Sequence, residues 1–275
     1  MEREGDRKIP AQRRAEIRAL LKGRGAASIA ELSAAIGVSA STVRRDLDRL
    51  SADGFVSRSH GGAVTGESTT FESTFEDRCR HNSGEKERIG RRAAGLLKPG
   101  YSVIFDSSST VLWAVEALKE RPVPMTAVTN DIGLASVLAE IPEVDVLVPG
   151  GEIREGSLTL VGGRTRDFLE GLHADVAFVG IHAISGTLLT DTSLPIAEVK
   201  RAMIGASHRV VLLADHSKFG PPAFCEVART GVAGDLFTDE LAPPEALEAV
   251  GASGETRVHV VGEASSGADP EKGER

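Results

Sequence analysis

The spacing of apolar residues in the first part of the chain predicts three short helices. The first contains Ile17 to Leu21 and ends at the glycines of residues 23–25. The second begins at Ser28, which can form a capping box with Glu31. The third follows Gly37 and buries a stripe made of Val43, Leu47 and Leu50. Three helices with a glycine turn before the third predict a helix-turn-helix.

The third helix of this pattern leaves a polar face outside. Ser39 is its predicted N-cap, and Arg44 and Arg45 fall outside the buried stripe, whereas Asp46 is expected to orient an arginine or brace the helix. Arginine can contact guanine edges or phosphates, and hydroxyls near a helix N-terminus suit phosphates. The pattern does not decide which arginine touches a base, and an arginine pair is also typical of a plain solvated face.

A short alternating run after the third helix predicts a small hairpin, or wing. It spans residues 55–58 and continues at residues 60–64. In a winged helix-turn-helix the third helix enters the major groove of DNA. The candidate DNA-binding residues are therefore Ser39, Ser41, Thr42, Arg44, Arg45, Arg58 and His60.

Helix-like and strand-like runs alternate beyond residue 84, which predicts an α/β fold with a parallel sheet and helices on both faces. The polar residues 65–84 are a predicted linker between a DNA-binding domain at residues 1–64 and this larger domain at residues 85–262. Residues 263–275 are predicted to be a disordered tail. The predicted strands are residues 101–105, 126–129, 144–148, 176–179, 210–214, 236–238 and 258–261, and the predicted helices are residues 85–97, 110–119, 132–139 and 195–206.

Charge is distributed unevenly over the 275 residues, whose net charge is −8. Residues 1–62 hold 12 lysines and arginines against 8 acidic residues, and the rest hold 20 against 32. A basic N-terminal region followed by an acidic remainder is expected when only one domain binds a polyanion such as DNA. The chain has no apolar run suited to a membrane span or a secretion signal, so we expect a cytoplasmic protein without membrane contact. Cys79 and Cys225 lack the spacing of a disulfide framework or a zinc site.

Polar or glycine-rich segments follow several predicted strands. In open parallel sheets, ligands bind beyond the carboxyl ends of the strands, so these segments are candidates for a ligand site. Asp106 to Thr110 leads into a helix, where backbone N–H groups and hydroxyls suit a phosphate. Each segment alone is also typical of a helix cap or a turn. The other segments are residues 129–131, 149–151, 188–191 and 215–218.

Both parts of the chain resemble one protein family. The run SIAELSAAIGVSASTVRRDLDRLSADGFVSRSHGGA resembles the DNA-binding signature of the DeoR family of bacterial transcriptional regulators, including its Ser-x-x-Thr-x-Arg-Arg-Asp-Leu run and its final His-Gly-Gly-Ala. Residues 85–220 resemble the family's C-terminal sensor domain through VTN, PGG, LVG, AEVKRAMI and LLADHSKFG. The resemblance implies a sensor fold similar to ribose-phosphate isomerase and a phosphorylated sugar or related metabolite as ligand. The effector-binding residues that it implies are Asp106, Ser107, Ser108, Ser109, Thr110, Asn130, Gly151, Lys200, Asp215 and Lys218.

The function expected from the resemblance is that of a DNA-binding transcriptional regulator, in this family most often a repressor. The resemblance also implies control by a small phosphorylated metabolite, and neither enzymatic activity nor a cofactor is expected. A homo-oligomer is expected because paired half-sites multiply the base contacts of a single head. The operator, the regulated genes, the identity of the effector, the direction of its effect and the number of subunits stay open.

Two alternatives to this function stay open at the level of sequence. A constitutive DNA-binding regulator with a silent pocket is suggested by the altered loop Ser107 to Thr110, where Ser108 stands in place of the family's usual glycine and Ser109 in place of a threonine. Residues 180–183, which lack the family's usual Gly-x-Asp, leave the identity of the ligand open. A sugar-phosphate isomerase needs a carboxylate to move a proton and a cation to stabilise an enediolate. Groups of these types are Asp106, Asp191, Glu198, Lys200, Asp215 and Lys218.

Overall fold

The computed structural model describes residues 9–24, 26–52, 56–59, 62–65, 69–70, 72–252 and 254–262. Its internal contacts divide the chain into two compact units, Met1–His81 and Asn82–Arg275. The predicted tail, residues 263–275, lies outside the described residues. Of the helices in the described ranges, none is long and apolar enough to cross a membrane.

The first unit consists of short helices around a three-stranded antiparallel sheet. The helices are α1 (Pro10–Arg24), α2 (Ile29–Ile36), α3 (Ala40–Ala52) and α4 (Phe75–Arg80), and the strands are β1 (Ala26–Ser28), β2 (Val56–Ser59) and β3 (Gly62–Thr65). The strand order is β1-β3-β2, so the predicted wing is the β2–β3 hairpin. Its core contains apolar residues of α1, α2 and α3, including the predicted stripe of the third helix; among them are Ile17, Leu21, Leu32, Ile36, Val43, Leu47 and Leu50.

Two features of this unit follow from local chemistry. The capping box of α2 is present, because Ser28 Oγ accepts from Glu31 N at 3.2 Å and Ser28 N donates to Glu31 Oε2 at 2.7 Å. Strand β1 was not predicted, since three residues carry no periodic pattern. It packs so closely on β3 that a Cβ on Gly62 would lie 2.5 Å from the carbonyl oxygen of Ala27.

The stretch predicted as a linker, residues 65–84, contains secondary structure. Helix α4 lies within it, and Thr74 caps that helix by accepting from Asp77 N at 3.2 Å. The second unit begins at Asn82, and its first helix starts at Ser83 rather than Glu85. That helix ends at Ala94, so Leu97 is buried from a turn instead of from the predicted helix.

The second unit is a seven-stranded parallel sheet with helices and a smaller antiparallel sheet. The helices are α5 (Ser83–Ala94), α6 (Ser109–Glu120), α7 (Ile132–Ala139), α8 (Gly163–Glu170), α9 (Leu194–Gly205) and α10 (Pro244–Gly251). The parallel strands are β4 (Tyr101–Phe105), β5 (Met125–Thr129), β6 (Val144–Leu147), β9 (Ala174–Gly180), β12 (Ser207–Leu213), β14 (Asp235–Asp239) and β15 (Arg257–Val261). The remaining strands are the pair β7 (Glu152–Ile153) and β8 (Leu160–Val161), and the small sheet of β10 (Ala183–Ser185), β11 (Leu188–Asp191) and β13 (Cys225–Arg229).

The parallel sheet confirms the predicted α/β class and all seven predicted strands. Helices α8 and α10 were not predicted, because their polar residues obscure a helical period. The β7–β8 pair and the small sheet were not predicted, because their strands are short. The strand order is β15-β14-β12-β9-β4-β5-β6. The chain therefore builds outward from β4 in one direction and from β9 in the other, which makes the β4–β9 junction the topological switch point where such sheets bind ligands.

Candidate nucleic-acid interface and effector site

The N-terminus of α3 carries a cluster of hydroxyl groups. Ser39 is its N-cap, as predicted, since Ser39 Oγ accepts from Thr42 N at 3.2 Å. The same oxygen lies 2.9 Å from the hydroxyl oxygens of both Ser41 and Thr42. Hydroxyls and N–H groups at a helix N-terminus favour an anion, so this end of α3 suits a DNA phosphate.

The outer face of α3 presents two arginines. Val43 and Leu47 are fully buried on the opposite face, whereas Arg44 and Arg45 are exposed. Within the described parts of the chain, neither arginine forms an ion pair. Two unpaired guanidinium groups on one exposed helix face can bond a phosphate or fork onto a guanine edge.

Asp46 is held away from that face by the first helix. It is buried, and its carboxylate accepts from Arg13 Nε at 2.8 Å and from Arg13 Nη2 at 3.3 Å. Arg14 Nη1 lies 3.8 Å from the same carboxylate. The predicted bracing role of Asp46 thus has a partner on α1, and the exposed face of α3 keeps the positive charge of its arginines.

The wing residues can be placed only in part. Arg58 belongs to β2, opposite Ala63 of β3. His60 lies outside the described residues. The assignment of both residues to DNA binding stays a prediction.

An ion pair lies at the switch point of the sheet in the second unit. Asp106 directly follows β4, and its Oδ2 accepts from Gly180 N, the last residue of β9, at 3.0 Å. Lys200 on α9 donates to the same Oδ2 at 2.5 Å and to the carbonyl oxygen of Gly180 at 2.7 Å. Asp191 at the end of β11 adds a second carboxylate, 3.8 Å from Lys200 Nζ. The structure therefore brings together two residues implied as effector ligands, Asp106 and Lys200, by bonding them to each other.

The loop after β4 combines a helix cap with a close contact. Ser108 caps α6 by accepting from Thr110 N at 3.2 Å. It also packs against Gly180, where an added Cβ would lie 2.1 Å from Ser108 Oγ. Ser107 is half-buried, and Ser109 and Thr110 are buried. Of this loop, Ser107 and Ser108 are thus the more accessible hydroxyls at the N-terminus of α6.

Asn130 and Gly151 have different neighbours. Asn130 follows β5, and its Nδ2 donates to the carbonyl oxygen of Leu160 at 3.0 Å. Its buried Oδ1 has no hydrogen-bond partner among the described residues. Gly151 is exposed, and a Cβ there would lie 2.1 Å from Thr165 Oγ1. Both residues belong to the region around β8 rather than to the Asp106–Lys200 pair.

Asp215, two residues beyond β12, is the centre of a second buried cluster. Its Oδ1 accepts from Ser217 Oγ at 2.5 Å and from Asn82 Nδ2 at 2.8 Å. Burial opposes its ionisation, but the ammonium groups of Lys218 and Lys86 and the hydrogen bonds from Ser217 and Asn82 outweigh that effect, so its pKa is lowered to about 2. Asp215 is therefore charged at neutral pH although it is fully buried.

Three residues outside the predicted set of effector ligands complete this second cluster. Lys86 on α5 is almost fully buried, with its Nζ 3.9 Å from Asp215 Oδ2. His216 Nδ1 lies 2.9 Å from Oδ1 of Asp239, the last residue of β14. A signal for Lys86 was available, because it falls three residues before Ile89, in the buried stripe of an amphipathic helix. A lysine at such a position needs a buried anion as partner.

The two units match known protein families. Residues 13–69 match the DeoR-like helix-turn-helix domain, and residues 81–240 match the DeoR C terminal sensor domain. The glycerol-3-phosphate regulon repressor of Escherichia coli (strain K12) is 32% identical over 235 residues, which cover 85% of this chain and 91% of that protein. The HTH-type transcriptional repressor GlcR of Bacillus subtilis (strain 168) is 34% identical over 204 residues, which cover 74% of this chain and 78% of that protein.

This chain also aligns with a solved structure of ribose-phosphate isomerase, the fold that was expected for the second unit. Ribose 5-phosphate isomerase A from Methanocaldococcus jannaschii aligns with 50% of this chain, and the alignment covers 55% of that chain. The sequence identity is 16% and the TM-score is 0.38. At these values the likeness carries no argument about activity.

Proposed function

Because the chain belongs to the DeoR family of transcriptional regulators, we propose that it is a DNA-binding repressor whose operator affinity is set by a small phosphorylated metabolite such as a sugar phosphate. The two relatives described above are named as repressors, and one of them is named for the glycerol-3-phosphate regulon. The observation that carries the proposal is the exposed face of α3, where Arg44 and Arg45 stand free of ion pairs with any described residue while Asp46 is bonded to Arg13.

In this proposal α3 is the recognition helix. Arg44 and Arg45 contact guanine edges or phosphates in the major groove, and Ser39, Ser41 and Thr42 contact phosphates at the helix N-terminus. One head reaches few base pairs, so two or more copies of the chain bind paired half-sites as a homo-oligomer. Asp46 does not oppose this approach, since its charge is neutralised by Arg13.

The effector binds at the carboxyl edge of the parallel sheet. Lys218 supplies a cation beside Asp215, and Ser107 and Ser108 supply hydroxyls at the N-terminus of α6. Positive charge and N–H groups together favour a phosphate group. The metabolite changes DNA affinity only if it binds the DNA-competent and DNA-incompetent arrangements with different affinity.

Binding without catalysis is the role that the carboxylates and lysines of this edge support. An isomerase needs a carboxylate available to take a proton from the substrate. Asp106 instead accepts from Lys200 and from the backbone of Gly180 in a buried position. The constitutive alternative rested on the altered loop Ser107 to Thr110, in which Ser108 keeps a cap hydrogen bond to α6 and fits beside Gly180.

The experiment that tests this function begins with selection of duplexes from a random DNA pool by the purified full chain. The Kd of a selected duplex is then measured for wild type, Arg44→Ala and Arg45→Ala, with Arg164→Ala as a matched loss of one exposed arginine from α8. We expect each α3 variant to weaken binding about 5- to 150-fold if that arginine reads a base, and the α8 variant to bind as wild type. Selection of no duplex, or equal binding by all four proteins, contradicts the proposal.

A further inference from the structure

Asn82 occupies an unusual position at the start of the second unit. It directly follows His81, the last residue of the first unit. Its backbone φ is 51°, in the left-handed region that asparagine tolerates better than most residues. It also stands at the N-cap of α5, yet its side chain caps no backbone N–H of that helix. A local role in helix capping therefore does not explain this side chain.

The amide of Asn82 is bonded to the edge of the parallel sheet instead. Its Nδ2 donates to Oδ1 of Asp215 at 2.8 Å, a contact between residues 133 apart in sequence. The same Nδ2 lies 3.5 Å from Nε2 of His216, whose other ring nitrogen lies 2.9 Å from Asp239. The first residue of the unit is thus tied to the ends of two neighbouring strands, β12 and β14.

Asp215 also interacts with Lys218, the cation that an anionic effector would use. Lys218 lowers the pKa of Asp215 through a favourable charge interaction. Ser217 donates a hydrogen bond to Oδ1 of Asp215, the same oxygen that accepts from Asn82. An anion that binds Lys218 draws that positive charge away from Asp215, and a donor that bonds Asp215 competes with Asn82. Either event changes the strength of the Asn82–Asp215 hydrogen bond.

We propose that the Asn82–Asp215 hydrogen bond is the contact through which occupancy of the effector site is passed to the DNA-binding unit. This inference rests on the proposed function and concerns the regulation of the same site. Asn82 acts as a coupling residue: it fixes the backbone where the chain enters the second unit, and Asp215 fixes Asn82. Coupling between two sites in proteins typically changes a binding affinity about 5- to 150-fold. We expect the Asn82–Asp215 contact to change the affinity for DNA within this range.

The test is a double-mutant cycle on DNA binding, which needs no knowledge of the effector. Asn82→Gly removes the amide and keeps the left-handed backbone accessible. Asp215→Asn removes the charge that the amide bonds and keeps the size of the side chain. The probe is a duplex selected by the wild-type full chain from a random pool, and its Kd is measured for wild type, both single variants and the double variant.

Two further variants control the cycle. Glu143→Gly is a matched replacement by glycine. Among the described residues, Glu143 is the other non-glycine residue with positive φ, 61°; it is exposed and directly precedes β6. Asn82→Asp places a carboxylate against Asp215 and keeps the backbone tolerance, so it tests the contact even if Asp215→Asn does not fold. Melting temperature is recorded for every protein.

We expect Asn82→Gly and Asp215→Asn each to change the Kd at least fivefold in the same direction, although both lie outside the DNA-binding unit. The double variant changes it no further than the larger single change, Asn82→Asp changes it at least as far as Asn82→Gly, and Glu143→Gly stays within twofold of wild type. Folded Asn82 variants that bind DNA within twofold of wild type overturn the inference and leave the proposed function standing. Single effects that multiply in the double variant overturn it as well. Failure of the wild type to select any duplex defeats the proposed function, and the inference with it.

Discussion

Nζ of Lys200 lies 2.5 Å from Oδ2 of Asp106, at the point where the order of the parallel strands reverses. Both side chains are buried, and the same lysine bonds the carbonyl oxygen of Gly180. Two buried charges at hydrogen-bond distance stabilise each other, but either one alone is costly in a protein interior. The two residues therefore depend on each other for their stability in the protein interior.

Removal of one partner of this pair should be strongly destabilising. We expect Lys200→Met to lower the free energy of unfolding by about 3–5 kcal/mol, because it removes the buried cation that lies against the carboxylates of Asp106 and Asp191. Asp106→Asn in the Lys200→Met background should restore part of the loss, because Asp191 still lacks the lysine that lies 3.8 Å away in the wild type. Urea unfolding gives the values, with Lys119→Met as control: its partner Glu116 is a surface residue, and the change should cost less than about 1 kcal/mol. A loss below about 1 kcal/mol for Lys200→Met would show that the pair is not formed.

The fit between Ser108 and Gly180 makes a second prediction. We expect Gly180→Ala to destabilise the second unit by about 1–3 kcal/mol, since the new Cβ would lie 2.1 Å from Ser108 Oγ. Adding Ser108→Gly should recover most of that loss, because a serine cap replaced by glycine costs only a few tenths of a kcal/mol, to order of magnitude. Gly163→Ala is the matched control, as a Cβ there meets nothing within 4 Å. The prediction fails if Ser108→Gly does not rescue Gly180→Ala.

The low pKa of Asp215 predicts a specific loss of stability in acid. Its folded-state pKa is about 2 against an ordinary value of 3.8, so its stabilisation is complete above about pH 4 and is lost as the pH falls through 2. A shift of this size corresponds to about 2 kcal/mol. Unfolding free energies measured between pH 5 and 2 should fall more steeply for wild type than for Asp215→Asn. Parallel pH profiles of the two proteins would contradict this environment for Asp215.

Much of the fold was predictable from sequence because the main elements have clear periods. Strand β4 is a short, mostly apolar run between a glycine and Asp106, and the buried stripe of α3 repeats at helical spacing, so both were placed correctly. Strand β1 and the small sheet of β10, β11 and β13 were missed, since they are short and pair through backbone groups that leave no pattern of side chains.

The candidate sites were predictable to a smaller extent. The face of α3 follows from period and capping alone, and Asp46 was correctly separated from the arginines, although its partner on α1 could not be known. The bond between Asp106 and Lys200 joins residues 94 apart in sequence, and only the folded sheet brings them together. Asn82 was read as part of a linker, because no local pattern reveals a hydrogen bond to Asp215.

The measurement that tests the central claim most directly is the Kd of the full chain for a duplex that it selects, titrated with individual sugar phosphates and with their unphosphorylated sugars. We predict that one phosphorylated compound changes the Kd about 5- to 150-fold, that its unphosphorylated form does not, and that the change is lost in Lys218→Ala. Specific DNA binding that is indifferent to every phosphorylated compound, in a protein whose melting temperature none of them shifts, would contradict control by a phosphorylated metabolite.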